Sequence, residues 1–443
     1  MVIARRSFLR GGGALAIGAS LPIAFIFRRS ASAGSPGPLV SDPRGVLDLP
    51  AGFTYRILER QGDAMDDGYR VAGAADAMAC FAGPGNTRVL MRNHEVGQND
   101  PAAGPYQPGQ LPPPQAYDPA GHGGVSRLVI DATTFERISS NLVLAGTTRN
   151  CAGGVSPWGW LSCEETFDAT HGYVFVCPTD ASTVRAPQRV VGYGHFNHEA
   201  ATVDPATNVC YLTEDRGDSC LYRFRPNSTD RPFEGKLQAL RVVGRDRYHT
   251  GSGLFVGQVL DVGWVDVVDP DPASDTIRSA AQAAGAAVFV RGEGIWFHQG
   301  AVYVCSTSGG PAGAGQIFRL TPDATQAGGR LELIAQSTNP GVLDMPDNIT
   351  IAPWGGLFMA EDGSGGSNYI RGLDADGTIF DFARNAMSSS EFAGVCFSPD
   401  GRAMFVNIQQ GSLTLAIRGP FDQIFGGGSS SAPPAPTGLR VTP

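Results

Sequence analysis

Six copies of one pattern, their spacing along the chain and a wealth of turn residues predict an all-β fold, a six-bladed β-propeller with loop and short helical insertions. Each copy opens on a small or acidic residue, runs through a short apolar strand and a turn rich in Gly, Pro, Asn or Asp, and ends in a second apolar strand. The copies begin at Asp76, Cys151, Glu199, Glu293, Asp347 and Glu391. Their starts lie 75, 48, 94, 54 and 44 residues apart, and repeats of about 40 to 50 residues with several strands each are typical of propeller blades. The 59 Gly and 32 Pro punctuate the chain at short intervals, and 3.6-residue periodicity is confined to a predicted helix around residues 274–287.

In chain order, residues 1–33 read as a twin-arginine signal peptide. Arg5-Arg6-Ser7-Phe8-Leu9 precedes an apolar run from Gly11 to Phe27, and Ala31-Ser32-Ala33 offers a small-x-small cleavage site. Residues 34–425 form one propeller domain. The strand Phe53 to Arg60 is expected to complete the last blade and close the ring, and two insertions fill the wide gaps, a Pro/Gly-rich loop at 98–124 and the stretch 226–287. The 94-residue gap leaves room for a seventh blade. Residues 426–443 are a Gly/Ser/Pro-rich linker and a module-like stub.

Charge narrows the partners. The chain carries 33 basic and 42 acidic residues, and the first 33 residues hold five Arg and no acid, so the chain without them has a net charge of -14. So acidic a surface argues against nucleic acid or, once the signal is cleaved, an anionic membrane, and it favours cations. A secreted or periplasmic monomer, handled by the twin-arginine export machinery, is the expectation.

In a propeller the innermost strands line a central channel, so equivalent residues of successive repeats converge on one axis. The entry residues above converge there, joined by Asn93-His94-Glu95, Glu164-Glu165, Glu214-Asp215 and Glu361-Asp362 at the ends of second strands. Unpaired carboxylates crowded near one axis cost several kcal/mol each unless protonated or neutralised by cations. Arg149, Arg216 and Arg291 are too few to balance them, so bound metal is expected. Carboxylates alone suit calcium or magnesium, whereas a Cys151 thiolate among them recruits a softer transition ion. A disulfide is the alternative for Cys151, although Cys210 with Cys220 and Cys163 with Cys177 are better placed to pair. His195 and His198 fall on opposite faces of a strand and read as structural. The glycine-rich stretches near Ser308 and Ser364 lack a strand-to-helix context and read as turns.

The segments NCAGGVSPWGWLSCEE, GHFNHEA, YLTEDR, RGEGIWF and MPDNI resemble the PhoX family of bacterial alkaline phosphatases, over about Val46 to Ile417. The resemblance implies a twin-arginine-exported, six-bladed propeller that hydrolyses phosphate monoesters at a cluster of iron and calcium ions joined by oxo bridging. It implies Cys151, Glu165 and Glu199 as iron ligands, with Glu293, Asp347 and Asn348 in the iron and calcium shell. Arg291 would hold the phosphate, and Glu164, Glu95, Asn93 and Glu361 are further ligand candidates. No serine or histidine nucleophile is then required. Here PWGWLSCEE is one residue shorter than the family's PWGTWLSCEE, which bears on where Glu164 and Glu165 lie relative to Cys151. The family's Arg-Pro-Glu is Arg291-Gly292-Glu293.

Two other functions fit parts of this pattern. A calcium-dependent lactonase-like propeller hydrolase also uses Glu, Asn and Asp at a channel mouth but needs no thiolate. A non-catalytic secreted propeller would use calcium only to staple its blades and would bind a partner on its surface.

Overall fold

The computed structural model describes residues 36–363, 365–374 and 376–426. The signal at 1–33 and, apart from Gly426, the tail at 426–443 lie outside the described residues. Short strands bounded by Gly, Pro, Asn and Asp turns make an all-β, propeller-like fold, with short helices at Val191–Tyr193, Ile277–Ala283 and Phe421–Ile424. None of the described helices is long and apolar enough to cross a membrane.

Each repeat is a meander whose first strand lies innermost. These first strands are Ala75–Ala82, Asn150–Ser156, His198–Val203, Gly292–His298, Pro346–Ile351 and Phe392–Phe397. Each pairs antiparallel with the next strand of its own repeat, and each packs sideways on the first strand of the following repeat, the last returning to the first. The approach is close. A Cβ at Gly154 would run into the carbonyl oxygen of Ala201 in the neighbouring inner strand, so only glycine fits there.

Among the described residues the hydrogen-bonded sheets number five, one fewer than the repeats. The strand Val259–Asp266, inside the 226–287 insertion, pairs with Arg231–Val242 on one side and Gly329–Gln336 on the other, joining the third and fourth repeats into one nine-stranded sheet. An unpaired outer edge invites such pairing. The insertion also carries the helix, which spans Ile277–Ala283 and is shorter than the expected 274–287. The 98–124 insertion has no strand before Gly123.

Closure follows the expectation. Thr54–Arg60 pairs antiparallel with Leu413–Arg418, so a strand from the start of the chain completes the last repeat. Glu59 on that strand is buried and reaches Arg92 at 2.8 Å and Arg137 at 3.2 Å, pinning the latch to the first repeat. Between the sheets lie apolar side chains such as Phe81, Met91, Trp160, Phe175 and Tyr211.

The two candidate disulfide pairs do not form, and all eight cysteines are free. Strand register explains this. Cys163 lies opposite Val174 and Cys177 opposite Trp160, so the two sit at opposite ends of their strand pair. Cys210 lies opposite Phe224, four residues beyond Cys220. At about 3.3 Å per residue both separations exceed the Cα spacing of about 4.4 to 6.8 Å that a disulfide spans.

Candidate metal centre

A β-bulge interrupts every inner strand just after its first residues, between Ala75 and Met78, Asn150 and Gly153, His198 and Ala201, Gly292 and Ile295, Pro346 and Ile349, and Ala393 and Cys396. A bulge re-aims the side chain beside it. The residues so re-aimed are Asp76, Cys151, Glu199, Glu293, Asp347 and Ala393. Two residues upstream of four of these, and one before the inner strand begins, Ala74, Arg149, Arg291 and Met345 have positive φ. Their carbonyls accept the amide of the residue that ends the paired strand, Glu95, Glu165, Thr307 and Asp362 respectively. The six repeats thus bring a re-aimed residue, an upstream residue and a strand-end residue to one mouth of the channel.

Three groups of ligand-type side chains result, Asp76 with Glu95 and Cys151, Cys151 with Glu165 and Glu199, and Glu199 with Glu293 and Asp347. In each group the ligand atoms lie within 4.8 Å of one another. Cys151 and Glu199 each belong to two groups, and the Cys151 Sγ lies 3.3 Å from Glu199 Oε1. Burial, reinforced by neighbouring acids, pushes Asp76 up to about 6 and Glu95 up to about 8. The same causes hold Glu199, Glu293, Asp347 and the Cys151 thiol well above their ordinary values. Glu391 and Asp362, further along the rim, are raised as well, first by burial.

Two guanidinium groups face this acid. Arg149 Nη2 contacts Glu95 Oε1 at 2.8 Å and also Glu165, while its Nε donates to the Glu165 carbonyl. Arg291 holds Asp215 with two bonds of 2.8 and 2.9 Å and reaches Glu293 at 3.0 Å. Two cations do not neutralise so many buried carboxylates, and the donor set of oxygens with one shared sulfur suits cations, hard ions at the carboxylate groups and a softer one beside Cys151.

Not every expected ligand stands here. Glu164 is buried inside its own repeat, bound by His171 Nδ1 at 2.6 Å and by the amides of Thr148, Gly172 and Tyr173. Glu165, one residue on, faces the channel. Glu361 likewise turns inward to Arg371 at 2.8 Å and to the amides of Asp344 and Tyr369. Asn93 spends its amide on the carbonyls of Cys151 and Ala152 and its oxygen on Trp160 and Ser162. It clamps the backbone under Cys151. Thr213 does the same for Glu293 at 2.6 Å and Asn407 for Asp76 at 2.5 Å. Asn348 accepts the Gly394 amide with its side-chain oxygen, and its buried Nδ2 has no hydrogen-bond partner among the described residues. His195 stacks between Phe167 and Tyr173, and His198 is buried.

Three residues of the mouth, Asp76, Asp215 and Asn197, are not among the ligands that the resemblance implies, although Asp76 and Asp215 are among the acids expected at the channel. Asp76 carries a signal, as the first of the aligned repeat starts. Asp215 is the second residue of its acidic pair, as Glu165 is of its own. Asn197 donates to Glu165 Oε1 and to the Asp215 carbonyl, both at 3.2 Å, and its signal is its place in GHFNHEA, two residues before Glu199.

The family model described as alkaline phosphatase PhoX matches residues 35–141 and 136–411. Among solved structures, Pseudomonas fluorescens PhoX in complex with vanadate, a transition state analogue, is similar with 19% sequence identity and a TM-score of 0.68, covering 88% of this chain and 98% of that one. A gluconolactonase from Xanthomonas campestris is similar at 12% identity and a TM-score of 0.44, covering 88% of this chain and 100% of that one. No curated protein matches the chain.

Proposed function

The chain belongs to the alkaline phosphatase PhoX family and is a phosphatase by that membership, and from this premise we propose that it is exported and hydrolyses phosphate monoesters at a cluster of iron and calcium in the channel mouth. The observation that carries the reading is Arg291, clamped by Asp215 beside Glu293 at the edge of three linked groups of buried ligand-type side chains. We read the ring of six inner strands as a six-bladed propeller in which the third and fourth blades share an outer strand.

Asp76, Glu95, Cys151, Glu165, Glu199, Glu293 and Asp347 would hold the ions. Asn93, Glu164 and Glu361 are assigned instead to holding the blades, because their polar atoms are already engaged, and Asn348 stays beside Asp347 as a group with one free donor. Bound ions of this kind neutralise phosphoryl oxygens and activate the attacking oxygen. The chain's own part is to position. Arg291 has φ +48°, donates its amide to the Arg216 carbonyl and accepts the Thr307 amide at 2.9 Å each. Its backbone is therefore fixed at both sides, and Asp215 fixes the guanidinium plane. A guanidinium so held keeps Nη1 for the phosphoryl oxygens and meets them with little further loss of freedom.

Export in the folded state fits the eight free thiols, since the cytosol keeps cysteines reduced and buried thiols stay inert afterwards. The test is hydrolysis of p-nitrophenyl phosphate by metal-loaded protein, with elemental analysis and with Cys151→Ala and Glu293→Ala as controls. Iron and calcium together, with activity at least a hundredfold above both variants, is expected. Activity no higher than in the variants would sink the reading.

A further inference from the structure

Arg149 and Arg291 occupy the same place in their repeats, one residue upstream of the inner strand, each in the left-handed region with φ of +47° and +48°. Non-glycine residues are strained there, and such strain persists where the surroundings over-determine it. Both carbonyls accept an amide from the residue that ends the paired strand, Glu165 for Arg149 and Thr307 for Arg291. Both guanidinium groups straddle two channel acids, Glu95 with Glu165 and Asp215 with Glu293. Arg291 does so through Nε and Nη2, Arg149 through Nη2 while its Nε donates to the Glu165 carbonyl, and Nη1 of neither makes a hydrogen bond among the described residues.

The repeat between them supplies the bridge. Asn197 stands at the same upstream position in the third repeat and ties Glu165, the partner of Arg149, to the backbone of Asp215, the partner of Arg291. Beneath this arc lies Glu199, which belongs both to the group with Cys151 and Glu165 and to the group with Glu293 and Asp347. The two arginines thus flank the place where those groups join. The Arg149 side chain is 44% exposed and that of Arg291 34%, so both reach the open side of the mouth.

We propose that Arg149 is a second substrate-binding residue, gripping the phosphoryl group opposite Arg291. A phosphate monoester carries two charges over three terminal oxygens, more than one planar fork covers. The inference rests on the phosphatase reading for its ligand, and it is separable from it by binding. The alternative for Arg149 is charge balance alone, holding Glu95 and Glu165 together.

Calorimetric titration of metal-loaded protein with inorganic phosphate, beside metal analysis of the same samples, tells these apart. Arg149→Gln is expected to weaken phosphate binding at least tenfold. Arg149→Lys keeps the positive charge between Glu95 and Glu165 but not the fork, and is expected to keep its metals while losing phosphate affinity about fivefold and raising KM more than it lowers kcat. Arg149→Lys with wild-type metal content and phosphate affinity within twofold of wild type would overturn the proposal, as would a loaded wild type that takes up no phosphate. A wild type that binds phosphate in this Arg149-dependent way yet hydrolyses no ester would support the site while removing the phosphatase reading.

Discussion

Three acidic pairs end second strands, Glu164-Glu165, Glu214-Asp215 and Glu361-Asp362, and in each the two members meet opposite fates. Successive side chains of a strand point to opposite faces. The first member turns into its own blade and finds partners there, His171 for Glu164, Arg278 and Tyr222 for Glu214, Arg371 for Glu361. The second member turns to the channel, where its neighbours are mostly other acids. Burial alone does not separate the two regions, since Glu214 and Glu361 are pushed up to about 7 by burial much as the channel acids are raised. What separates them is the counter-charge. Blade acids are completed by the protein's own cations, hydroxyls and amides, and channel acids outnumber the two guanidinium groups that face them.

The largest expected effect comes from removing a channel acid shared by two groups. Glu199→Gln should lower phosphatase activity of the metal-treated enzyme by about a thousandfold or more, about 4 kcal/mol of barrier, with a matching loss of bound metal on elemental analysis. Melting of the metal-free variant should be no lower than that of metal-free wild type, because the carboxylate removed is buried among Glu165, Asp347, Asp76 and Asp215. A variant that melts much lower while keeping its metals would erase the distinction between the regions.

The reverse holds for a blade acid. Glu361 is 1% exposed and Arg371 4%, with 2.8 Å between them. Taking one member from such a pair leaves an uncompensated charge and costs about 3 to 5 kcal/mol. Glu361→Gln should therefore lower denaturant stability by about 3 kcal/mol, read from the shift in unfolding midpoint, while metal content at saturating metal stays at the wild-type value.

Much of this division is legible in the sequence. Repeat starts at Asp76, Cys151, Glu199, Glu293 and Asp347 align because each is the second residue of an inner strand, and the structure gathers these five side chains at one end of the ring. The closing strand is legible because Phe53 to Arg60 has no partner nearby in sequence. Sequence cannot say which member of each acidic pair faces the axis, since alternation sets only that the two differ, and the bulge and strand ending set which is which. Glu164 and Glu361 thus look like ligands in sequence although their carboxylates are engaged by His171 and Arg371. Nor does spacing reveal the strand Val259–Asp266 that fuses two repeats, because an outer-edge partnership leaves no repeat signal. The disulfides fail for a related reason, since closeness along a hairpin says nothing about register.

The smallest effect is graded and concerns pH. In the metal-free protein Asp76 titrates near 6 instead of its ordinary 3.8, and Glu95 near 8 instead of 4.5, first through burial and then through neighbouring acids. Both values are raised, so the folded form keeps protons that the unfolded chain has released. Their contribution is fully present below about pH 4 and is lost as pH rises through about 6 and 8. Each proton so held gives a slope of about 1.4 kcal/mol per pH unit. Glu214 and Glu361, both near 7, add to the same decline. Metal-free protein should therefore melt progressively lower from about pH 5 to pH 8. Saturating metal takes the place of the channel protons and should flatten that part of the curve, leaving the share that belongs to Glu214 and Glu361. Glu361→Gln should then reduce the residual slope without touching the metal-sensitive part. Melting curves in chelator and in excess metal, taken at half-unit pH steps, measure both shares. Identical slopes with and without metal would mean that the channel acids are already neutralised by the protein, and the two regions would no longer differ in kind.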